Sequence, residues 1–208
     1  MNWKTAPLLA TLYDFAVQNR PLSRLGARVL WNYDVGHLHT LIAAQDPSAL
    51  TLDIPCGGGL AVRENPRHVA ADLSPTMLKR ARRKTTTLVQ ADIYNLPFPT
   101  DTFDVCLTYN GLHCLEDPQA ALHELTRVLR PGGTLQGTAL VKQAGRDALI
   151  NLFRRQGAFG DPGTRTDLRT WLEATPLTNI TLTTSGAVTA FTAQKSGTHH
   201  SPASAKVD

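Results

Sequence analysis

The sequence predicts an α/β protein with a doubly wound, mostly parallel seven-stranded sheet, an antiparallel last strand and a cover of helices at the N-terminus. Three observations lead to this fold class. From residue 50 onward, short apolar runs alternate with segments of helical periodicity, two of these segments begin with a helix-capping residue followed by proline, and two strand-like runs close the pattern. Such alternation is typical of parallel strands connected by crossover helices.

Two helical segments precede the first predicted strand. Apolar residues recur at helical spacing over residues 6–18 and 22–44, and the Asn-Arg-Pro run at residues 19–21 interrupts the pattern. We therefore expect an N-terminal helical cap over residues 1–45.

Five strands and two crossover helices follow this cap. A capping side chain stands before a proline at residues 74–75 and again at residues 117–118, so a helix is expected to begin at each place. The first helix should extend to about Arg83, and the second should end at residues 130–133, where a basic residue precedes a proline and two glycines. The strands are predicted over residues 49–54, 68–72, 86–91, 103–109 and 134–141.

The last third of the chain is expected to contain two helices and a hairpin. The helices are predicted near residues 143–156 and 166–174, and strands over 179–184 and 187–193 flank the turn-forming pair Ser185-Gly186. Residues 46–194 would then form one domain. Residues 195–208 are small, polar and unpatterned, and we expect a disordered tail there.

Length and composition are those of a globular protein with a single domain. The 208 residues include 42% hydrophobic and 18% charged residues, and the net charge is +4. This charge is too small to predict a nucleic-acid partner, and the basic run at residues 79–84 is expected to be the solvated last turn of a helix. No feature of the sequence predicts an oligomeric state.

The cysteines and the absence of a long apolar run bear on location. Cys56, Cys106 and Cys114 are odd in number and lack the paired spacing of a zinc site. The sequence contains no apolar run of about 18 residues and no signal-peptide pattern. We therefore expect a cytoplasmic protein without a metal or a membrane span.

A glycine-rich turn directly follows the first predicted strand. Residues 52–59 read Leu-Asp-Ile-Pro-Cys-Gly-Gly-Gly, and glycines let a backbone turn sharply and let a ligand approach main-chain atoms. Ligands of open α/β sheets bind at the carboxyl ends of the strands. A dinucleotide motif would need glycine or alanine where the chain has Val62, and the phosphate-loop motif is absent from the sequence. A purely structural turn is the alternative.

Acidic residues end the next two strands. Asp72 can accept hydrogen bonds from both hydroxyls of a ribose, and its alternative role is to cap the helix that begins after Ser74. Asp92 can accept a hydrogen bond from an adenine amino group while Ile93 packs on the ring. A glycine turn and two acids at three successive strand ends predict a site for an adenosine-containing ligand.

Five segments, in the order of a known family, carry a resemblance. The chain resembles a class I S-adenosylmethionine-dependent methyltransferase with a Rossmann-like sheet, of the small-molecule, ubiquinone-biosynthesis type. The family pattern has glycine where this chain has Pro55, and because proline lacks an N–H and fixes φ at about −65°, no main-chain donor is expected there. The segments are LDIPCGGG (52–59), AADLSPTMLKRAR (70–82), QADIYNLPF (90–98), TFDVCLTYNGLHCLED (102–117) and ELTRVLRPGG (124–133).

The resemblance implies S-adenosylmethionine as the cofactor and a contact for each part of it. The residues expected to bind the cofactor are Asp53, Pro55, Cys56, Gly57 and Gly59 at the methionine part, Asp72 at the ribose, Leu73 and Ile93 on the two faces of the adenine, Asp92 at its amino group, and Thr108, Tyr109 and Asn110 around the methionine moiety and the transferred methyl group.

A general base is needed only if the acceptor is a hydroxyl or an acidic carbon. His113, just after the fourth strand, is the first candidate. Tyr33 and His37 are further candidates and would line the acceptor pocket, because the N-terminal helices cover that pocket in similar enzymes. Each of the three residues has packing as its alternative role.

The resemblance therefore predicts an enzyme that methylates a small organic acceptor by in-line transfer. Two other functions stay open. An RNA or protein methyltransferase would be expected to show an added recognition domain or a dense basic face, which the sequence lacks. A methyltransferase-like binding or regulatory protein without turnover is kept open by Pro55.

Overall fold

The computed structural model describes residues 20–85 and 87–197. The helix expected over residues 6–18 and the tail from residue 198 onward lie outside the described residues. Within the described part, no helix is long and apolar enough to cross a membrane.

Seven strands of the described chain form one mixed sheet with the order β3-β2-β1-β4-β5-β7-β6. Strands β1 to β5 are parallel, and β7 is antiparallel to both of its neighbours. This arrangement confirms the predicted fold class. The strands are β1 (Thr51–Asp53), β2 (His68–Asp72), β3 (Leu88–Gln90), β4 (Phe103–Tyr109), β5 (Leu129–Leu140), β6 (Leu177–Ser185) and β7 (Val188–Lys195).

The described helices are α1 (Arg20–Trp31), α2 (Gly36–Ala43), α3 (Pro75–Ala81), α4 (Pro118–Val128), α5 (Asp147–Arg155) and α6 (Arg165–Glu173), with a short 3-10 helix at Leu112–Cys114. Both predicted caps are confirmed. The Ser74 hydroxyl accepts a hydrogen bond from the Met77 amide at 3.4 Å, and the Asp117 carboxylate accepts one from the Ala120 amide at 2.9 Å.

The single helix predicted over residues 22–44 is wrong, because the chain breaks between α1 and α2. Asn32 takes a left-handed conformation with φ 51°, which asparagine tolerates better than most residues. Asp34 Oδ1 then accepts a hydrogen bond from the Gly36 amide at 2.8 Å where α2 begins. Apolar spacing is similar on both sides of the break, so the periodicity did not reveal it.

The fifth strand begins earlier than predicted. Helix α4 ends at Val128 and the chain passes directly into β5, so that Leu129 pairs with Phe103. Regular pairing resumes at Val105 and Thr134, with an irregularity between the two pairs. The helix therefore ends just before the predicted stop at residues 130–133, and those residues form an irregular part of the strand.

The sheet has a core on each face because neighbouring residues of a strand point in opposite directions. Cys106 belongs to the cluster that includes α4 and α6, whereas Leu107 belongs to the cluster that includes α2. Both residues are almost completely buried. Helices on both faces leave the carboxyl ends of the parallel strands as the edge at which a ligand can enter.

Strand β7 extends to Lys195, one residue past the domain boundary that we expect at residue 194. Lys195 is the last residue of β7, and its ammonium group donates to Asp101 Oδ1 at 2.6 Å and to the Leu129 carbonyl at 2.7 Å. The Ser196 amide donates to the Pro176 carbonyl at 2.9 Å. These bonds attach residues 195 and 196 to the domain.

Candidate cofactor site

The loop after β1 is tied to the end of β2. The Cys56 amide donates to the Ala71 carbonyl at 2.8 Å, and the Gly57 amide donates to Asp72 Oδ2 at 2.9 Å. Asp72 Oδ1 accepts a hydrogen bond from the Ser74 amide at 2.8 Å. The predicted cofactor loop and the predicted ribose carboxylate are therefore parts of one hydrogen-bonded unit.

Two glycines of this loop have left-handed backbone conformations, with φ +54° at Gly57 and +84° at Gly59. A Cβ atom at Gly59 would also lie 3.3 Å from Val62 Cγ2 and 3.4 Å from the Ala81 Cα atom. Lys84, after α3, donates from Nζ to the Gly59 carbonyl at 2.6 Å. The loop thus needs glycine at both positions and is held from two sides.

Two buried carboxylates lie at the ends of neighbouring strands. Asp53 is 2% exposed and Asp72 is 7% exposed. Burial raises the pKa of both carboxyl groups; His68 opposes the rise at Asp53, and the Ser74 and Gly57 amides oppose it at Asp72. Uncompensated buried negative charge is costly, so this site favours a ligand that brings positive charge and hydroxyl groups.

Asp53 has an unsatisfied oxygen. Its Oδ2 atom is buried without a hydrogen-bond partner in the described part of the chain, and His68 Nε2 lies 3.7 Å away, beyond hydrogen-bond distance. A buried carboxylate oxygen of this kind is expected to bind a donor that comes with a ligand. The ammonium group and ribose hydroxyls of S-adenosylmethionine would supply the donors that Asp53 and Asp72 can accept.

The predicted adenine contacts lie at the ends of β2 and β3. Leu73 is 40% exposed although it is apolar, and Ile93 is buried. Asp92 is exposed. The Ala91 amide donates to the Asp72 carbonyl at 3.2 Å, which joins the two strand ends. The structure therefore brings Leu73, Asp92 and Ile93 to the same edge as the glycine loop.

The end of β4 is fixed by β5. Asn110 has a left-handed conformation with φ 56°, and its amide donates to the Thr138 carbonyl at 2.9 Å. The Thr138 hydroxyl in turn donates to Asn110 Oδ1 at 3.0 Å. Thr108 is completely buried, and its hydroxyl makes no hydrogen bond to another described residue. Thr108 and Asn110 thus lie at the strand end where they were expected.

The Tyr109 side chain lies in the core beneath α2. Its hydroxyl donates to Gln136 Oε1 at 2.8 Å and accepts a hydrogen bond from Gln45 Nε2 at 3.3 Å. The side chain packs in the cluster that contains Leu38. The main chain of Tyr109 is therefore at the strand end, whereas its phenol belongs to the packing of the sheet face.

Pro55 packs against a glycine in the loop after β4. A Cβ atom on Gly111 would lie only 2.4 Å from Pro55 Cδ and 2.7 Å from Pro55 Cγ. The Ile54 amide before the proline donates to the Leu107 carbonyl at 3.0 Å. Gly111 thus leaves the space that the Pro55 ring needs. The backbone hydrogen bonds of the predicted cofactor loop are present on both sides of the proline.

His113 is packed inside the protein. It is 3% exposed, its Nδ1 atom accepts a hydrogen bond from the Leu140 amide at 3.3 Å, and its ring meets Phe159 edge-to-face at 4.8 Å. Burial lowers the pKa of His113 to about 4. These contacts favour the packing role that was the alternative for this histidine.

Tyr33 and His37 line one cavity of about 170 Å³ between α2 and the outer strands. Hydroxyl side chains from those strands, including Thr181 and Thr183, form much of its wall. The Tyr33 hydroxyl is buried and has no hydrogen-bond partner within the described chain, and burial raises the pKa of Tyr33 to about 12. The structure thus brings the two predicted acceptor-pocket residues together.

The chain is similar to known proteins in sequence and in fold. Residues 52–136 match the family model described as a methyltransferase domain. A solved S-adenosylmethionine-dependent methyltransferase of Thermotoga maritima, a possible histamine N-methyltransferase, superposes with a TM-score of 0.72 at 14% identity, covering 93% of this chain and 99% of that one. Residues 52–136 are therefore similar to a methyltransferase domain, and the superposition shows a shared fold.

Two relatives by sequence act on quinones or hydroquinones according to their names. Demethylmenaquinone methyltransferase of Corynebacterium kroppenstedtii is 37% identical over 93 residues, which are 43% of this chain and 41% of that protein. The 2-methyl-6-phytyl-1,4-hydroquinone methyltransferase 2 of Oryza sativa subsp. japonica is 40% identical over 80 residues, which are 36% of this chain and 23% of that protein. The chain thus spans about two-fifths of the first relative's length.

Sequence reasoning missed several residues that shape the site. Lys84 was treated as part of a solvated basic run, but it binds the Gly59 carbonyl. His68 was treated only as part of an apolar strand, and a histidine at such a position could have been noticed. Gly111 and Thr138 gave no signal, because their importance depends on which residue lies opposite them in space.

Proposed function

We propose that this protein is an S-adenosylmethionine-dependent methyltransferase that transfers the methyl group in line to a small organic acceptor. The observation that carries the proposal is the unsatisfied buried oxygen of Asp53, next to the glycine loop and close to Asp72. This combination calls for a ligand with a cationic group and hydroxyls.

Bound S-adenosylmethionine would supply a methyl group on an electrophilic sulfonium. Asp53 would bind the ammonium group. Asp72 would bind the ribose hydroxyls, because each of its oxygens keeps a lone pair beyond its present hydrogen bond to a backbone amide. Gly57 and Gly59 would leave room for the methionine part. The site would act mainly by positioning, which can supply much of the reduction in the barrier.

We also propose a role for each of the other predicted cofactor contacts. Leu73 and Ile93 would hold the adenine, with Asp92 at its amino group. Thr108 would offer its unsatisfied hydroxyl at the end of β4, and Asn110 would be held in place by Thr138. Tyr109, Pro55 and Cys56 would shape the site through their main-chain positions.

The acceptor would enter between α1 and the segment after β5. Trp31 contacts Phe153 and Phe159, with ring centroids 5.9 and 6.0 Å apart, and Phe159 also contacts His113 in the loop after β4. Apolar rings next to the loop after β4 favour an acceptor with an apolar or aromatic ring. The names of the quinone and hydroquinone methyltransferases support the same class of acceptor.

No general base is assigned to the proposed reaction. His113 was the predicted catalytic residue, but its Nδ1 lone pair accepts from the Leu140 amide and its pKa is lowered to about 4 by burial. Both facts oppose proton uptake near neutral pH. Tyr33 and His37 stay proposed residues of the acceptor side, in the cavity beneath α2.

We further propose that the partner is a small molecule and not a nucleic acid, and that the protein is cytoplasmic. The modest net charge of +4 supports the first point. Cys56, Cys106 and Cys114 are unpaired, which supports a reducing compartment.

Titration calorimetry with S-adenosylmethionine and S-adenosylhomocysteine tests the cofactor. Wild type is expected to bind both compounds, and Asp72→Ala should weaken binding at least about tenfold, since it removes the ribose acceptor and the anchor of the Gly57 amide. Glu173→Ala, an exposed acid on α6, serves as the matched control and should bind like wild type. No binding of either compound by wild type would contradict the proposal.

Transfer of a labelled methyl group tests the acceptor. Quinols, phenols and small amines are compared with total RNA and a protein extract. Labelling of a small ring compound is expected. Cofactor binding without labelling of any acceptor would favour the regulatory alternative, and labelling of RNA or protein alone would favour the macromolecular one.

A further inference from the structure

Asp53 has an unusual buried neighbour on the next strand. His68, the first residue of β2, is 4% exposed, and its Nε2 atom has no hydrogen-bond partner among the described residues. This atom lies 3.7 Å from Asp53 Oδ2, which is equally unsatisfied. His68 pairs with Thr51 in the parallel register, so it points to the same face as Asp53.

We propose that the buried pair of Asp53 and His68 keeps one bound proton on the imidazole while the cofactor site is empty, and that the pair releases this proton when the ammonium group of S-adenosylmethionine binds. His68 is then a positioning residue that keeps the Asp53 carboxylate ready for the cofactor. The inference rests on the proposed function, because it assumes that Asp53 binds the amino end of the cofactor.

The separation of Asp53 from His68 and the burial of both side chains explain why an ammonium group can replace the proton. A buried carboxylate needs a positive partner, and a protonated imidazole at 3.7 Å supplies one without a direct hydrogen bond. An ammonium group in direct contact with Asp53 would satisfy the same oxygen better. Two cations beside one carboxylate would repel each other, so arrival of the ammonium favours loss of the proton from His68.

Other groups around Asp53 leave His68 as the partner that can exchange a proton. Lys84 lowers the pKa of Asp53 from a distance, but its ammonium group donates to a backbone carbonyl. Asp72 is a second negative group that interacts with Asp53. Burial raises the pKa of Cys56 and Tyr109 well above neutrality, so both stay protonated. Imidazole is the side chain that commonly exchanges a proton near neutral pH.

Calorimetry at pH 6.5 in phosphate and in bis-Tris buffer tests the inference, because the difference in binding heat between buffers counts the protons released. This pH is about one unit below the usual pKa of an α-amino group, so the amino group of the ligand is already protonated before it binds. Wild type is expected to release about half to one proton for each S-adenosylmethionine bound. His68→Gln should release less than about a third of the wild-type amount.

The affinity for S-adenosylmethionine should depend on pH, because binding releases a proton. The wild-type Kd is expected to tighten about threefold to tenfold between pH 6 and pH 7.5. His68→Gln should show a much flatter dependence of the Kd on pH over the same range. Asp53→Asn should lose both the proton release and most of the affinity, since it removes the negative charge that favours the bound proton and that receives the ammonium group.

Thermal unfolding of His68→Gln shows whether the variant is folded, and His68→Asn replaces it if it is not. Proton release that persists unchanged in a folded His68 variant would overturn the inference. Heats of wild-type binding that do not depend on the buffer would also overturn it, while leaving the proposed function intact. Absence of all binding by wild type would overturn the proposed function and the inference with it.

Discussion

Pro55 departs from the pattern of the family that the chain resembles, yet the loop around it keeps its backbone hydrogen bonds. Its ring occupies the space above Gly111, where no side chain other than hydrogen would fit. The backbone amides of Ile54 and Cys56, on either side of the proline, still donate their hydrogen bonds. The proline that kept a non-enzymatic function open is therefore compatible with an intact cofactor loop.

Gly111→Ala is expected to destabilise the protein by about 1–3 kcal/mol, because the new Cβ would have to displace Pro55 from 2.4 Å. Urea unfolding measures the change, and calorimetry should show weaker cofactor binding. Gly197→Ala is the matched control, since nothing lies within 4 Å of its Cβ position, and it should change stability by less than about 0.5 kcal/mol. Equal stability of the two variants would contradict the packing of Pro55 on Gly111.

His113 should make stability depend on pH. Its pKa falls from an ordinary value of 6.5 to about 4 in the folded protein because of burial, so the unfolded chain takes up the proton first as the pH falls. The stabilisation is complete above pH 6.5 and is lost as the pH falls towards 4, by up to about 3 kcal/mol.

Urea unfolding at several pH values between 4 and 7 checks this prediction. His113→Gln should remove this part of the pH dependence. His123→Gln, at an exposed position of α4, should keep it. A wild-type profile that is flat over this range would show that His113 is not buried as a neutral imidazole.

At the scale of elements, the local signals that start helices had clear structural counterparts. A capping side chain and a following proline act within one turn, so the sequence reveals them. The break between α1 and α2 was missed because it depends on Asn32 and Asp34, whereas the apolar spacing continues across it. The early start of β5 was missed because strand pairing with Phe103 is a long-range interaction.

Asp117→Ala should cost about 0.5–2 kcal/mol of stability, since the carboxylate accepts the hydrogen bond from the Ala120 amide at the start of α4. Thermal or urea unfolding measures the loss. Glu116→Ala, at the exposed preceding position, should leave stability nearly unchanged. A loss of similar size in both variants would argue against a specific capping bond.

At the scale of the whole molecule, the proposed site joins elements that are far apart in the sequence. The loop after β1, the ends of β2 and β3, and the loop after β4 would contact one ligand, whose binding should therefore stabilise the entire domain. S-adenosylhomocysteine at 100 times its Kd should add about 2.7 kcal/mol to the free energy of unfolding. The Tm should then rise by about 5–10 °C.

Differential scanning calorimetry measures this shift. Asp72→Ala at the same ligand concentration should show a much smaller rise, because binding is weaker. Adenosine alone, which lacks the amino acid part that Asp53 is proposed to bind, should stabilise less than S-adenosylhomocysteine. An equal rise in Tm with both compounds would contradict the role of Asp53.

The sequence by itself determined the fold class, the order of the elements and the residues at the strand ends, because periodicity, caps and glycine turns act over short distances. Asp72 and the glycine loop could be chosen on this basis, whereas Asp53 was implied by the family resemblance. Only the tertiary structure decided which residues face each other. It placed the Tyr109 phenol and the His113 imidazole in the interior and set Gly111 against Pro55. It also brought two buried polar atoms, one of Asp53 and one of His68, to a distance of 3.7 Å from each other. Burial and pairing across strands depend on the packing of distant segments, which no local pattern records.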